Sequence, residues 1–290
     1  MILTICNDTI ILTVDTFGAQ MMSLRSEDGT EYIWQGDPEF WADRALNLFP
    51  FIGRLWNGTC KVHGMEYPMN IHGFACRSEF CCAEQSDTRL VLELEDNEET
   101  LRQYPFHFLF RISYELEEKT VKVTFSVKNS SQEIMPFAVG GHPGFRVPLC
   151  EGESFEDYTL VFSEPCRPDR VGFSEDVYLN GKDEEYPLRN GCELPLRHSL
   201  FDEDAIILKN MASAVTLSGK KGRGVTVSYP FMPYLGLWHW PEKDAPYVCI
   251  EPWSSLPSRH GTVEELTCKS DMLRLQPNGV YENSWTIRIF

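Results

Sequence analysis

Basic residues are scarce in this 290-residue chain: 26 Lys and Arg stand against 43 Asp and Glu, a formal net charge of −17. A surface of that sign repels nucleic acid and anionic membranes, so neither partner is expected. Long apolar runs are missing too. No stretch approaches the roughly 20 apolar residues that span a bilayer. The opening MILTICNDTIILTVDTFGAQ has no basic leader and does not read as a secretory signal. A cytoplasmic location is the expectation. None of the ten cysteines forms a C-x-x-C pair, and several lie inside apolar runs, as Cys249 does in YVCIEP. Free, buried thiols in a reducing compartment fit that usage better than disulfides or zinc.

Several catalytic signatures are absent. There is no G-x-S-x-G elbow, no phosphate-cradling P-loop, no G-x-G-x-x-G after a strand and no H-E-x-x-H. Nucleophilic, nucleotide-dependent and zinc-dependent chemistry all lose ground, and proton transfer without a cofactor or metal is left. Long helical periodicity is absent as well. The best helix candidate opens at Thr262, which has capping-box spacing to Glu265.

Alternation is what the sequence does have. VKVTFSVKN (121–129) sets Val121, Val123, Phe125 and Val127 on one face and polar residues on the other, the pattern of a half-buried strand. FLFRISYELE (108–117), RLVLELE (89–95), GVTVSYP (224–230) and SWTIRIF (284–290) repeat it. Turn chemistry separates the strands at Asn180-Gly181, Gly219-Lys220-Lys221-Gly222 and Pro277-Asn278-Gly279. Many short strands with such turns predict an all-β sandwich, read as one domain over 1–290.

Four stretches place polar groups in unusual settings. Arg54, in FPFIGRLWNG, follows an apolar run and reads as buried, so it needs a carboxylate or a ligand. His72 precedes a glycine in NIHGFACRSEF, in a loop. His142 sits among glycines and a proline in GGHPGF, which reads either as a plain tight turn or as a device that aims the imidazole. Glu251 ends the apolar run of YVCIEPW. Desolvation there raises a carboxyl toward the range of a useful base, although the same group would also serve to neutralise Arg54. His239, between Trp238 and Trp240, is a reserve candidate beside a possible sugar-stacking wall.

The segments NLFPFIGRLWNG, IHGF, GGHPGF, YVCIEPW and LRLQPNGVYENSWTIRI, in that order, resemble the recurrent segments of the aldose 1-epimerase (mutarotase) family, most closely a compact bacterial branch. The resemblance runs from about residue 47 to the end of the chain. It implies a large antiparallel β-sandwich of the galactose mutarotase-like type. It also implies an isomerase that interconverts the α and β anomers of an aldohexose without a cofactor. By position, Glu251 matches the family's general base and His142 its general acid. Arg54, His72 and an aspartate in LFDEDAIIL match sugar contacts, Asp204 being preferred over Asp202 because it directly precedes the apolar run. One departure is Cys76, where relatives often carry arginine, with Arg77 displaced by one. Two other functions fit the same residues: a hexose-6-phosphate 1-epimerase using Arg54, Arg77 or Arg146 for phosphate, and a non-catalytic sugar binder. The expected partner is a small sugar, on a monomer or a homodimer.

Overall fold

A computed structural model describes residues 1–290 and is dominated by two antiparallel sheets. The larger has nine strands, with Val280–Ile289, Thr120–Asn129, Phe108–Glu117 and Arg89–Glu95 adjacent at its centre and Cys81–Gln85 at one edge. The alternating segments of the sequence form these strands. Phe108, Phe110, Ile112 and Tyr114 point into the core alongside Val121, Val123, Phe125 and Val127, all at most 1% exposed. The second sheet has seven strands. From its third strand to its edge the order is Ile206–Lys209, Tyr234–Trp238, Tyr247–Trp253, Gly140–Arg146 and Ala45–Leu48. A three-stranded sheet over residues 2–26 joins the same hydrophobic core. That core is continuous from Ile5 to Ile289, which is why we read 1–290 as one domain.

Of the two readings of GGHPGF, the tight turn is not the one that forms. The segment lies within the buried strand Gly140–Arg146, and none of its glycines has a positive φ. Their small size serves packing instead. A Cβ on Gly141 would lie 2.5 Å from Trp285 Cζ2, so the glycine lets the smaller sheet press against an indole of the larger one. Gly141→Ala is therefore expected to lower stability by about 1–3 kcal/mol through overpacking. Urea denaturation measures this, and an unchanged midpoint would contradict the contact.

The helix expected at Thr262 is also absent. Glu265 spends its carboxylate on the backbone N–H groups of His63 and Gly64 and on Thr267, rather than turning back to cap residue 262. The α-helix is Glu98–Gln103, where Asn97 and Thr100 form the capping box. All ten cysteines are free thiols, but only Cys60, Cys76 and Cys249 are buried, while Cys81 and Cys82 lie on the exposed edge strand. The expectation of burial holds for those three alone.

Candidate active site

Strand register builds the site. Gly144 pairs with Cys249 and Gly140 with Trp253, so His142 and Glu251 lie directly opposite each other on neighbouring strands. Side chains alternate across a strand. In Tyr247–Trp253 the residues Tyr247, Cys249, Glu251 and Trp253 therefore share one face, while Val248 and Ile250 enter the core between the sheets. Gly236 flanks Glu251 on the next strand, and a Cβ there would come within 3.1 Å of the Glu251 Cβ. The missing side chain keeps space beside the carboxyl.

His142, Glu251 and Trp253 line a cleft of about 540 Å³ with Trp41, Asp43, Arg54, His72, Arg77 and Asp204. At its floor His142 Nε2 and Glu251 Oε2 are 3.2 Å apart, with the two residues 7% and 1% exposed. The pair is not aligned as a hydrogen bond. Glu251 Oε2 and His142 Nδ1 are both buried without a partner. Buried polar atoms are normally satisfied, so these two on facing side chains are available to a group that enters the cleft. The His142 ring lies 4.9 Å from Trp41 and 5.7 Å from Trp238, which screen it from water.

Burial sets the charge state of this pair. It pushes the Glu251 carboxyl well above the usual range, with help from the Asp204 carboxylate. It pulls the His142 imidazole down to about 4, an effect opposed by the residue's own backbone and by Asp43. Both groups favour their neutral forms, so at neutral pH the pair holds one proton. Cys249 Sγ lies within 4.8 Å of the donor atoms of both. Burial and the neighbouring Glu251 push this thiol well up, so it stands there as a neutral group. Sequence spacing did not reveal that juxtaposition.

His72 stands against the pair, its ring 5.4 Å from that of His142. The Gly53 N–H donates to His72 Nδ1 at 3.1 Å, which leaves the proton on Nε2 and makes that nitrogen a donor. Burial holds its pKa well below 6.5, with the charges of His142, Arg54 and Arg77 acting the same way. The loop is tightly constrained: His72 has a φ of 66°, and a Cβ on Gly73 would lie 2.2 Å from the Phe49 carbonyl oxygen.

Arg54 is not buried, contrary to the sequence reading. It is exposed at the cleft wall and pairs with no carboxylate, so the structural ion pair with Glu251 does not form. Its position follows from Gly53, whose φ of 72° turns the apolar run toward solvent. Asp204 lines the cleft with a φ of 75°, whereas Asp202 is exposed and faces a neighbouring hollow. Arg77 does reach the cleft despite its displacement by one, and it forks onto Asp43 with two hydrogen bonds of 2.7 and 2.6 Å. His239 is a core residue: it is fully buried, contacts His198 Nδ1 at 3.1 Å and packs on Phe201. Its neighbours Trp238 and Trp240 line the cleft instead. Trp41, Asp43, Val177 and Glu242 were not anticipated, because they lie in irregular segments where no periodicity marks them.

Residues 1–261 match the family model described as aldose 1-epimerase. The plasmid-encoded protein LacX of Lactococcus lactis subsp. lactis is 34% identical, in an alignment covering 100% of this chain and 99% of that protein. Among solved structures, the galactose mutarotase related enzyme from Lactobacillus acidophilus superposes with a TM-score of 0.94 at 32% identity, covering 100% of this chain and 97% of its own. A galactose mutarotase-like protein from Lactobacillus casei gives 0.93 at 31% identity, with 100% of both chains covered.

Proposed function

We propose, from the premise that this chain belongs to the aldose 1-epimerase family of isomerases, that it interconverts the α and β anomers of an unphosphorylated aldohexose through Glu251 and His142. The observation that carries the proposal is the buried pair at the cleft floor. It has two unpartnered atoms and one proton for two groups. Anomerisation needs that stoichiometry. With the pair's one proton shifted from Glu251 to His142 across their 3.2 Å contact, the carboxylate takes the proton of the anomeric hydroxyl while the imidazolium gives one to the ring oxygen, and the bond from C1 to that oxygen breaks. The open aldehyde then faces neutral His142 and protonated Glu251, the arrangement that burial already favours. Rotation about C1–C2 and the reverse transfers close the ring on the other face. Each positioned acid or base contributes about 10²–10⁴-fold, and holding both on one hemiacetal adds an orientation effect.

The remaining groups suit sugar hydroxyls. His72 Nε2 and Arg54 donate, and Asp204 accepts. Asp204→Asn is expected to raise KM about tenfold with a smaller change in kcat, since asparagine tolerates the left-handed backbone there. Asp202→Asn is expected to leave both constants within about twofold. Steady-state kinetics on the two variants checks this, and the opposite ranking would exchange their roles.

Charge supports a neutral sugar over a sugar phosphate. Arg77 is already committed to Asp43, and the cleft carries Asp43, Asp204 and Glu242 against Arg54 and Arg77. Arg146 lies at the far end of its strand from Gly140 and does not line the cleft. Polarimetry on freshly dissolved glucose, galactose and glucose 6-phosphate tests the reading. We expect kcat/KM for a free hexose to exceed that for the phosphate by about tenfold or more. A preference for the phosphate would overturn the substrate, and no acceleration of any of the three would favour a binding protein.

A further inference from the structure

Anomerisation requires the base of the pair to become a carboxylate at a position where burial disfavours charge. A neighbouring group has to favour that ion while the pair's proton is on His142. Resting on the reading of Glu251 as the base, we propose that Trp253 is its positioning residue. The indole N–H holds the Glu251 carboxylate during the step in which His142 carries the proton.

Strand geometry brings the donor to the base. Trp253 follows Glu251 by two residues in Tyr247–Trp253, so both side chains stand on the cleft face. Glycines on the two flanking strands make room for the indole. Gly140 pairs with Trp253, and a Cβ there would lie 2.9 Å from Trp253 Cδ1. Gly236 pairs with Glu251, and a Cβ there would lie 3.3 Å from Trp253 Cζ2. Nε1 lies between Cδ1 and Cζ2 along the same edge of the indole. That edge therefore crosses the strand from Gly140 to Gly236. The Gly236 Cβ position is also 3.3 Å from the Glu251 carboxyl carbon, so the N–H edge and the carboxyl meet over one glycine. The His72 ring closes the other side, 6.2 Å from Trp253 at 61°.

The donor is otherwise unused. Trp253 is 4% exposed and its Nε1 has no partner, whereas a buried indole N–H usually finds one. Burial and the Asp204 carboxylate push the Glu251 carboxyl up, and the Trp253 N–H acts in the opposite sense. A hydrogen bond to an ionised acceptor is roughly twice as strong as one between neutral groups. The contact is therefore weak while Glu251 is protonated and strong once it has become the base. An interaction that strengthens along the reaction raises kcat more than it lowers KM. The indole keeps its proton throughout, so the pair still holds one proton for two groups.

The test measures anomer exchange of galactose and glucose by NMR with wild type, Trp253→Phe and Trp253→His. Phenylalanine keeps an aromatic ring and removes the N–H, whereas histidine puts its Nε2–H where the indole N–H stood. Trp253→Phe should lower kcat about tenfold with KM within about twofold, and Trp253→His should retain most of the activity. A second readout uses His142→Asn, whose activity is expected to climb with pH as the lone carboxylate ionises. Adding Trp253→Phe to it should move that climb about one pH unit higher. An unchanged kcat, an equal loss in both Trp253 variants or a climb that stays in place would overturn the role of Trp253 and leave the epimerase reading standing. No exchange of either sugar by wild type would remove that reading and this role with it. Should Trp253→Phe fail to fold, His142→Asn alone decides. One of the seven indole N–H resonances is expected to move downfield over the pH range of its climb, and seven stationary resonances would overturn the contact.

Discussion

Glu251→Gln abolishes anomer interconversion, a loss of about 10²–10⁴-fold or more, and at the same time makes the protein more stable. Both effects come from the same burial. The carboxyl is 1% exposed, with Oε2 unpartnered, and the amide fills the same space without a charge to desolvate. The sign of the stability effect follows from linkage. Glu251 has its folded pKa raised above the unfolded value of 4.5. Below 4.5 the carboxyl is protonated in both states and contributes no difference. As pH rises through and above 4.5, the unfolded chain releases the proton while the folded one retains it, so the wild type loses stability. Thermal unfolding at pH 7 is expected to show a higher midpoint for the variant, and the gap should narrow toward pH 4.5. An active variant would remove Glu251 as the base. A destabilised one would show that the carboxylate is a structural ion-pair partner.

The acid limb of kcat/KM lies near pH 4 rather than near the 6.5 of an ordinary histidine. Activity needs one proton on the His142–Glu251 pair. Gain of a second, governed by the imidazole that burial holds at about 4, leaves no base. Loss of the only proton occurs above the raised pKa of Glu251 and leaves no acid, so the profile is a plateau across the intervening range. His142→Asn is expected to lower the rate about 10²–10⁴-fold. It should also replace the plateau by activity that climbs with pH as the lone carboxylate ionises. Initial rates corrected for buffer catalysis, from pH 3.5 to 9, measure both profiles. An acid limb at 6.5 would mean that the imidazole is not desolvated in the working enzyme.

Much of this was legible in the sequence because strands write their burial into alternation. Phe108 to Glu117 and Thr120 to Asn129 form paired strands where the pattern placed them. Glu251 could be read as desolvated because it follows a continuous apolar run, and Asp204 was preferred over Asp202, in a segment to which the family resemblance pointed, because it precedes one. Arg54 was misjudged because one left-handed glycine, Gly53, reverses the direction that the apolar run implies. The glycines around His142 left a tight turn open as one reading because sequence does not distinguish a need for φ freedom from a need for small volume. Only the facing Trp285 does. Trp41 and Asp43 were invisible because tertiary packing, not local pattern, brings them to the cleft.

Saturation transfer between the α and β anomeric protons of galactose at equilibrium tests the central claim most directly, because it reads ring opening and closing with no net reaction. The account predicts an exchange rate that grows in proportion to wild-type enzyme and returns to the buffer value with Glu251→Gln, both proteins being folded by circular dichroism. Equal exchange with the two proteins, or none above buffer with folded wild type across galactose and glucose, would contradict it.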